Sequence, residues 1–486
     1  MSLLDQASLV LVPSAIKTGE VLVQKPLPTK FSDETGNYDG NDPQGSANLT
    51  FTRASNASRV NADGLIEKVR TNLILQSNTF DTTWAALDLT PTSGQSGYDG
   101  SSDAWLLDRT NSNGRIYQTI SFTSVGTFSV YAKAGTLNWI RLRDNLGEGS
   151  YFDLSGSGAI GSTSSTITPA IQSIGGGWFR CSVSALWNSF NFRIYPADAD
   201  NDTSGTSGNV YIQNAQLETG LVATDYIPTT TSARSTFAGI TVDGTSVPNV
   251  PRLDYSGGCP SLLLEPTATA LNQFSEQIDN AYWTNANCTV TANQTASPSG
   301  YVDAELVLDD TSNNQHVITR SIAVTSGNKY TASFFLKAAG YTTSAIRMGN
   351  GSLWTGGTGP TVEFDLVALT GTVVDGSGVT FTIEDYGNGW RRCSVTGTCV
   401  TSGTTVFSLY VKQYNGYIGN GTSGIYAWGA NITATGYVQS YIPTLGSAVT
   451  RLADSASKTG ISSLIGQTEG TAFIEFSVEH LTSGNN

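Results

Sequence analysis

The sequence predicts an all-β protein: tandem antiparallel β-sandwich (jelly-roll) modules, preceded by an extended N-terminal segment and followed by the start of a further β domain. Three observations predict it. The composition suits strands and turns, short apolar alternations lie between Gly-, Ser- and Asn-rich clusters, and the chain contains a long internal repeat.

Of 486 residues 52 are Gly, aromatics reach 10% and charged residues only 13%. Thr, Val, Tyr, Phe and Trp fit the pleated, half-buried surface of a strand, whereas Gly, Asn, Asp and Ser supply the backbone freedom and local hydrogen bonds of turns. A chain of this length exceeds what one core organises, so several domains are expected.

Periodicity agrees with composition. Phe128 to Lys133, Trp178 to Val183 and Asn209 to Leu217 alternate or run apolar over strand-like lengths, and clusters such as Asn111-Ser-Asn-Gly and Gly156-Ser-Gly separate such runs.

Self-similarity is the strongest signal. Gly177-Trp-Phe-Arg-Cys-Ser-Val returns as Gly389-Trp-Arg-Arg-Cys-Ser-Val, and Phe152-Asp-Leu as Phe364-Asp-Leu. Ser129-Val-Tyr-Ala-Lys-Ala matches Ser333-Phe-Phe-Leu-Lys-Ala, and Tyr226-Ile-Pro-Thr matches Tyr441-Ile-Pro-Thr. Ser77, Phe80 and Trp84 match Ser275, Ile278 and Trp283. Order is kept while the offset drifts by loop-sized steps, as in a duplicated sandwich. Trp84, Trp178, Trp283 and Trp390 are therefore expected in the cores. Cys181 and Cys393 are expected there as small apolar residues, with all five cysteines reduced.

A shorter motif punctuates the chain: Thr52-Arg-Ala-Ser, Pro251-Arg-Leu-Asp and Thr450-Arg-Leu-Ala-Asp. The expected organisation is an attachment segment over 1–50, a first module with its lead-in over 51–240, a linker over 241–264, a second module over 265–454, and the start of another β domain over 455–486. Gly470 to Val478 alternates like a strand close to the last residue, so the sequence is expected to be part of a longer protein.

The net charge of −14, with no run of Lys or Arg, argues against nucleic acid as a partner. No apolar window is long enough to span a membrane, and the first residues, broken by Asp5, Gln6 and Pro13, make a poor signal peptide. Asp198-Ala-Asp-Asn-Asp alternates carboxylates as a calcium loop does, but no Glu follows at the required distance, and it reads as a solvated hairpin tip. Asp309-Asp310 reads likewise. His316 and His480 are the only histidines, no nucleophile motif accompanies them, and no Gly loop cradles phosphate. The chain is expected to be no enzyme and to need no metal or cofactor.

Several motifs together resemble the tandem modules of phage and prophage appendage proteins. They are Arg70-Thr-Asn-Leu, Phe80 with Trp84, Tyr131-Ala-Lys, the Gly-Trp-x-Arg-Cys-Ser-Val strand, Ala215-Gln-Leu-Glu and Tyr-Ile-Pro-Thr. The opening Ser2-Leu-Leu-Asp-Gln-Ala-Ser-Leu-Val-Leu-Val-Pro-Ser-Ala and Phe51-Thr-Arg-Ala-Ser are similar to large virion proteins of crAss-like phages. The resemblance implies a structural head- or tail-fibre protein of the virion, assembled in the host cytoplasm. It would attach to capsid or tail proteins through its N-terminus, self-associate as a homotrimer or homodimer, and carry carbohydrate-binding-module-like jelly rolls for host or surface adhesion. A concanavalin-like domain would begin after residue 455. The second module departs from the pattern at Ala270-Leu-Asn and Ala430-Asn-Ile-Thr.

Glycan recognition needs exposed aromatic faces backed by hydroxyl-bonding side chains. Trp139, Trp187, Trp354 and Tyr417, in stretches without a repeat partner, are the candidates for glycan contact. Two other functions fit parts of the pattern: a tailspike polysaccharide depolymerase working with two carboxylates, and a secreted bacterial carbohydrate-binding array.

Overall fold

A computed structural model describes residues 13–23, 49–257, 260–457 and 459. These form two compact units. One is Val69–Val247; the other joins Pro248 onward to the chain up to Lys68. Most of the expected attachment segment, nearly all of the expected third domain, and Cys259 lie outside the described residues.

The first unit is a sandwich of two six-stranded sheets. One runs in the order Ala159–Thr163, Gly149–Asp153, Trp139–Asp144, Ser189–Ala197, Arg115–Phe122, Ala85–Leu87. The other runs Thr168–Gly175, Trp178–Leu186, Val125–Ala134, Gly208–Thr219, Ala104–Arg109, Leu89–Gln95. All these pairings are antiparallel. The second unit repeats the topology. Thr284–Ala286, Val317–Val324, Gly403–Tyr410, Thr343–Met348, Thr361–Asp365 and Thr370–Asp375 correspond in order to the first sheet read backwards. Cys288–Ala296, Val302–Asp309, Gly424–Thr433, Lys329–Ala339, Arg391–Thr398 and Thr380–Asp385 correspond likewise to the second. The all-β, duplicated sandwich is thus the observed fold, with no α-helix among the described residues.

Strand alternation sends one side of every strand into the core. Phe128, Val183, Phe192 and Leu217 meet Trp84 in the first sandwich, and Phe334, Val395, Phe407 and Ile432 meet Trp283 in the second. Cys181 and Cys393 sit in these cores; they are free thiols, as are Cys288 and Cys399, and burial pushes Cys181 and Cys393 well up. Trp178 and Trp390 are buried, at 3% and 1% exposure, but on the opposite face of their sheets from the core. Phe179 takes the inward position beside Trp178. Trp178 packs edge-on against Tyr98, whose ring stacks on Tyr131 at 4.2 Å. Trp390 packs with Phe335, Trp428, Tyr441 and Ile66. The expectation of burial holds, while the expected place was wrong, because segments outside the sheet cover its outer face.

Two side-chain bonds recur where the repeats seem unlike. Asn72 Nδ2 donates to the Ala215 carbonyl (3.2 Å) and its Oδ1 accepts from Leu217 N. Asn272 does the same with Ala430 (3.0 Å) and Ile432. The departure at Ala270-Leu-Asn therefore keeps the amide that bridges the sheet edge. Likewise Ser77 bonds the Tyr226 hydroxyl at 2.5 Å and Ser275 the Tyr441 hydroxyl at 2.8 Å.

Core volume is also kept by exchange. The register pairs Thr127 with Ser184 and Thr331 with Thr396, which makes Trp187 the counterpart of Cys399. Trp187 plugs its core end, donating Nε1–H to the Gly126 carbonyl at 2.7 Å. In the second sandwich Cys399 leaves that volume open, and Trp354 fills it from another connection, bridging to Cys399 and donating to the Gly349 carbonyl at 2.8 Å.

The second unit begins with a buried ion cluster made by the three copies of the Arg motif. Arg53 Nη1 donates to Asp454 Oδ1 at 2.8 Å, Arg252 pairs with Asp454 Oδ2 and, at 2.7 Å, with Glu265, and Arg451 lies 3.3 Å from Glu265. Carbonyls of Ser55, Val250, Ser58 and Pro266 accept further guanidinium hydrogens, as do Ser440 Oγ and Gln439 Oε1. This cluster explains why residues 51–68, expected to lead into the first module, group with the second unit instead: burying Arg53 without Asp454 would strand a charge. Burial works to raise the Glu265 carboxyl, but Arg252, Arg451 and Ser440 outweigh it and hold it down at about 2.

Three measurements check these points. Trp354→Ala should destabilise the second unit by about 3–5 kcal/mol in chemical denaturation, and adding Cys399→Trp should recover part of the loss. Asp454→Asn should cost about 3–5 kcal/mol by leaving buried guanidiniums unpaired. With its folded pKa depressed, Glu265 contributes fully above its ordinary 4.5, and that contribution is lost as pH falls towards 2. The acid-side fall in denaturation midpoint should therefore be shallower in Glu265→Gln.

Candidate functional site

The sheet of the first sandwich centred on Trp139–Asp144 carries the most distinctive outer face. Ile116, Ile140, Leu142, Phe152 and Ile194 point into the core, so their neighbours point out. These are Trp139, Arg141 and Arg143 on one strand, Tyr151 on the next, Arg193 and Tyr195 on the third, and Arg115 and Tyr117 on the fourth. Register sets Arg141 between Tyr151 and Tyr195, and Arg193 between Arg143 and Tyr117.

The arginines lie over the rings. Arg141 is 4.7 Å from the Tyr151 centroid, Arg143 5.8 Å and Arg115 5.7 Å from that of Tyr195, and Arg193 5.9 Å from that of Tyr117. Tyr151 and Tyr195 are buried beneath them, while the four arginines are half-buried. Stacking satisfies the ring quadrupoles but leaves most guanidinium donors free. Among the described residues none of the four forms an ion pair, in contrast to Arg109, which grips Asp198 with both terminal nitrogens. The bonds they do make go to neutral acceptors, such as Arg143 Nε to the Asp144 carbonyl (3.0 Å) and Arg193 Nε to Asn191 Oδ1 (2.7 Å). The buried Nε of Arg115 and of Arg141 has no acceptor among the described residues. Burial, and then crowding by Arg143 against the pull of Tyr151, lowers Arg141 from its usual value.

Trp139 borders this face. Its ring lies over Gly161, where a Cβ would stand 2.6 Å from the indole and 2.4 Å from Asp200 Oδ1. Asp200 accepts from Ser162 N at 2.6 Å and Oγ at 2.9 Å. With Asp198 committed to Arg109 and Asp200 to Ser162, the carboxylates of this tip are divided between partners, and no metal-holding cluster exists among the described residues.

The second sandwich lacks this array. By register Tyr195 and Arg143 correspond to Tyr410 and Arg347, but Arg141, Tyr151, Arg193 and Tyr117 correspond to Ala345, Glu363, Ser408 and Thr319. Its remaining arginine sits over Tyr414 at 4.6 Å with Asp375 3.9 Å away.

Of the four sequence candidates, Trp139 stands on the arginine face. Trp187 and Trp354, at 2% and 0% exposure, are corrected to core residues: they lack repeat partners because each fills the same core end from a different element. Tyr417 is half-buried and packed, its ring 4.5 Å from His316 and 5.0 Å from the Lys412 ammonium, and burial raises its hydroxyl. Asp309 is corrected too. It is no solvated tip but is buried, accepting the Tyr341 hydroxyl at 2.6 Å and the amides of Asn420 and Gly421. In the second sandwich Glu305 takes the register place of Trp105; it is buried, and burial, then the Asp279 carboxylate, raises it well above the usual range.

The arginine face escaped the sequence reading, yet a signal was present. Arg115-Ile-Tyr and Arg193-Ile-Tyr are identical triplets, and Trp139-Ile-Arg-Leu-Arg has the same alternation. Outward Arg and aromatic residues flank an inward aliphatic one each time.

No family model and no curated protein matches the chain. Solved structures align weakly. The tandem CBM51 modules of a family 98 glycoside hydrolase from Streptococcus pneumoniae share 11% identity over 80% of this chain and 99% of that one, with a TM-score of 0.17. The M60 catalytic domain with its two CBM51 domains from Clostridium perfringens ZmpB shares 11% over 82% and 44%, at 0.19. An exo-beta-1,3-galactanase from Phanerochaete chrysosporium shares 11% over 71% and 69%, also at 0.19. At such scores the superpositions carry no argument, and the site rests on its own chemistry. If these arginines serve a ligand and not the fold, Arg141→Gln, Arg143→Gln and Arg193→Gln should each change unfolding free energy by under about 1 kcal/mol, the value of a stacked cation. A larger loss in urea denaturation would make the face structural.

Proposed function

We propose that this chain is a non-catalytic structural protein of a bacteriophage virion, a head or tail fibre or decoration, whose β-sandwich modules adhere to glycans. The observation that carries the adhesive part is the arginine–tyrosine face of the first sandwich: half-buried cations with unused donors, bordered by a half-buried indole. Such a surface offers ring stacking and multiple hydrogen bonds to hydroxylated ligands. The second sandwich, with its smaller and acid-paired counterpart, serves the fold and spacing. The virion setting rests on the resemblance of the motif order to phage appendage modules. Attachment through the N-terminal segment and self-association as a trimer or dimer would place many weak sites on one particle, where avidity compensates for modest affinity per module.

Two experiments test this. An antibody to the first sandwich should label intact particles at the head or the tail by electron microscopy, and absence from purified particles would refute the virion assignment. The purified protein should be retained by immobilised host-surface polysaccharide without releasing reducing ends. Steady release of reducing ends would establish a depolymerase instead.

A further inference from the structure

We propose that the arginine–tyrosine face of the first sandwich is a site for acidic polysaccharide, taking the carboxylate-bearing sugars of a uronate-type chain. This rests on the glycan reading above and narrows it to a ligand class.

The argument begins with charge. The protein carries a net charge of −14, yet four arginines crowd one sheet face and none of them forms an ion pair among the described residues. Arg141 and Arg143 are two residues apart on one strand, about 6.6–6.8 Å along it, and Arg193 sits beside Arg143 on the adjoining strand, about 5 Å away. Like charges at this spacing repel, and the stacking that holds them recovers about 0.5–1 kcal/mol per pair. A fold under selection for stability alone would pair or replace them, as the second sandwich has done with Ala345 and Ser408 in place of Arg141 and Arg193. A bound anion removes the repulsion and takes the terminal guanidinium donors that stacking leaves unused. Carboxylates suit the guanidinium fork.

The border decides between anions. Asp153, opposite Trp139 in register, and Asp200, beside its ring, stand at the edge. For a polysaccharide with spaced carboxylates these are acceptors for neutral hydroxyls, and Trp139 is a platform for a sugar ring. For a nucleic acid, whose phosphates follow one another without a gap, they are repulsive, and so is the net charge. The face therefore suits an acidic glycan better than a polynucleotide.

Binding of the full chain to immobilised polygalacturonate, to its fully methyl-esterified form and to a single-stranded DNA oligonucleotide provides the test, by biolayer interferometry at several salt concentrations. Polygalacturonate should bind, more weakly as salt rises, and the esterified form should bind at least about tenfold more weakly, since charge-assisted bonds are lost. The Arg141→Gln/Arg143→Gln double variant should lose about tenfold or more, while Arg347→Gln, the register counterpart in the second sandwich, should leave binding unchanged. Circular dichroism and urea midpoints matching wild type show that the double variant is folded. Equal binding of both pectin forms, abolished by Trp139→Ala, would overturn the acidic specificity and leave the glycan reading intact. Tighter binding of DNA, or binding indifferent to the double variant, would overturn the proposal. No binding to polygalacturonate overturns it as well, and the glycan reading falls with it if no neutral or host-surface polysaccharide binds.

Discussion

Everything in the two sandwiches follows from one constraint: a strand has two faces, and the closed sandwich claims one of them for its core. The inward positions must sum to a filled volume in both copies. They hold either by identity, as with Val183 and Val395, or by exchange, as when Trp354 reaches into the space that Cys399 leaves. The outward positions carry no such obligation. There the copies diverge: the first has gathered four arginines, without ion pairs among the described residues, over tyrosines, and the second has dispersed them. Function is free to collect on the face the core does not need.

A second layer of order lies outside the sheets. Trp178 and Trp390 are buried on outer faces, one beneath Tyr98 and the other among Trp428, Tyr441 and Ile66. In the second unit this cover comes from the lead-in chain, and the buried convergence of Arg53, Arg252 and Arg451 on Asp454 and Glu265 keeps that chain in place. Three guanidiniums share two carboxylates, so the cluster also leans on the carbonyls of Val250, Ser58 and Pro266. Removing any one partner would leave the others buried and unmatched, which makes the arrangement specific as well as stable.

The duplicated fold was legible because core-facing repeats tolerate little change: the Gly-Trp-x-Arg-Cys-Ser-Val strand and Tyr-Ile-Pro-Thr survive in both copies. The site was barely legible. Trp187 and Trp354 lack counterparts, which in sequence suggests exposure but here reflects compensation within a core. Asp309 next to Asp310 suggested a solvated tip, while the fold turns one of the two inward to Tyr341. The Arg-Ile-Tyr triplets carried the real signal, but a triplet records only that two side chains share a face, not what stands beside them.

Local alternation and composition alone carried the class of fold, the duplication and the acidic, turn-rich character of the chain. Tertiary structure decided which strands became neighbours, and so brought Arg115, Arg141, Arg143 and Arg193 from three strands onto three tyrosines. It also decided that three distant copies of one Arg motif share a single pair of carboxylates. Both are matters of register and burial, which arise from pairing between segments far apart in the chain and leave no mark within any one of them.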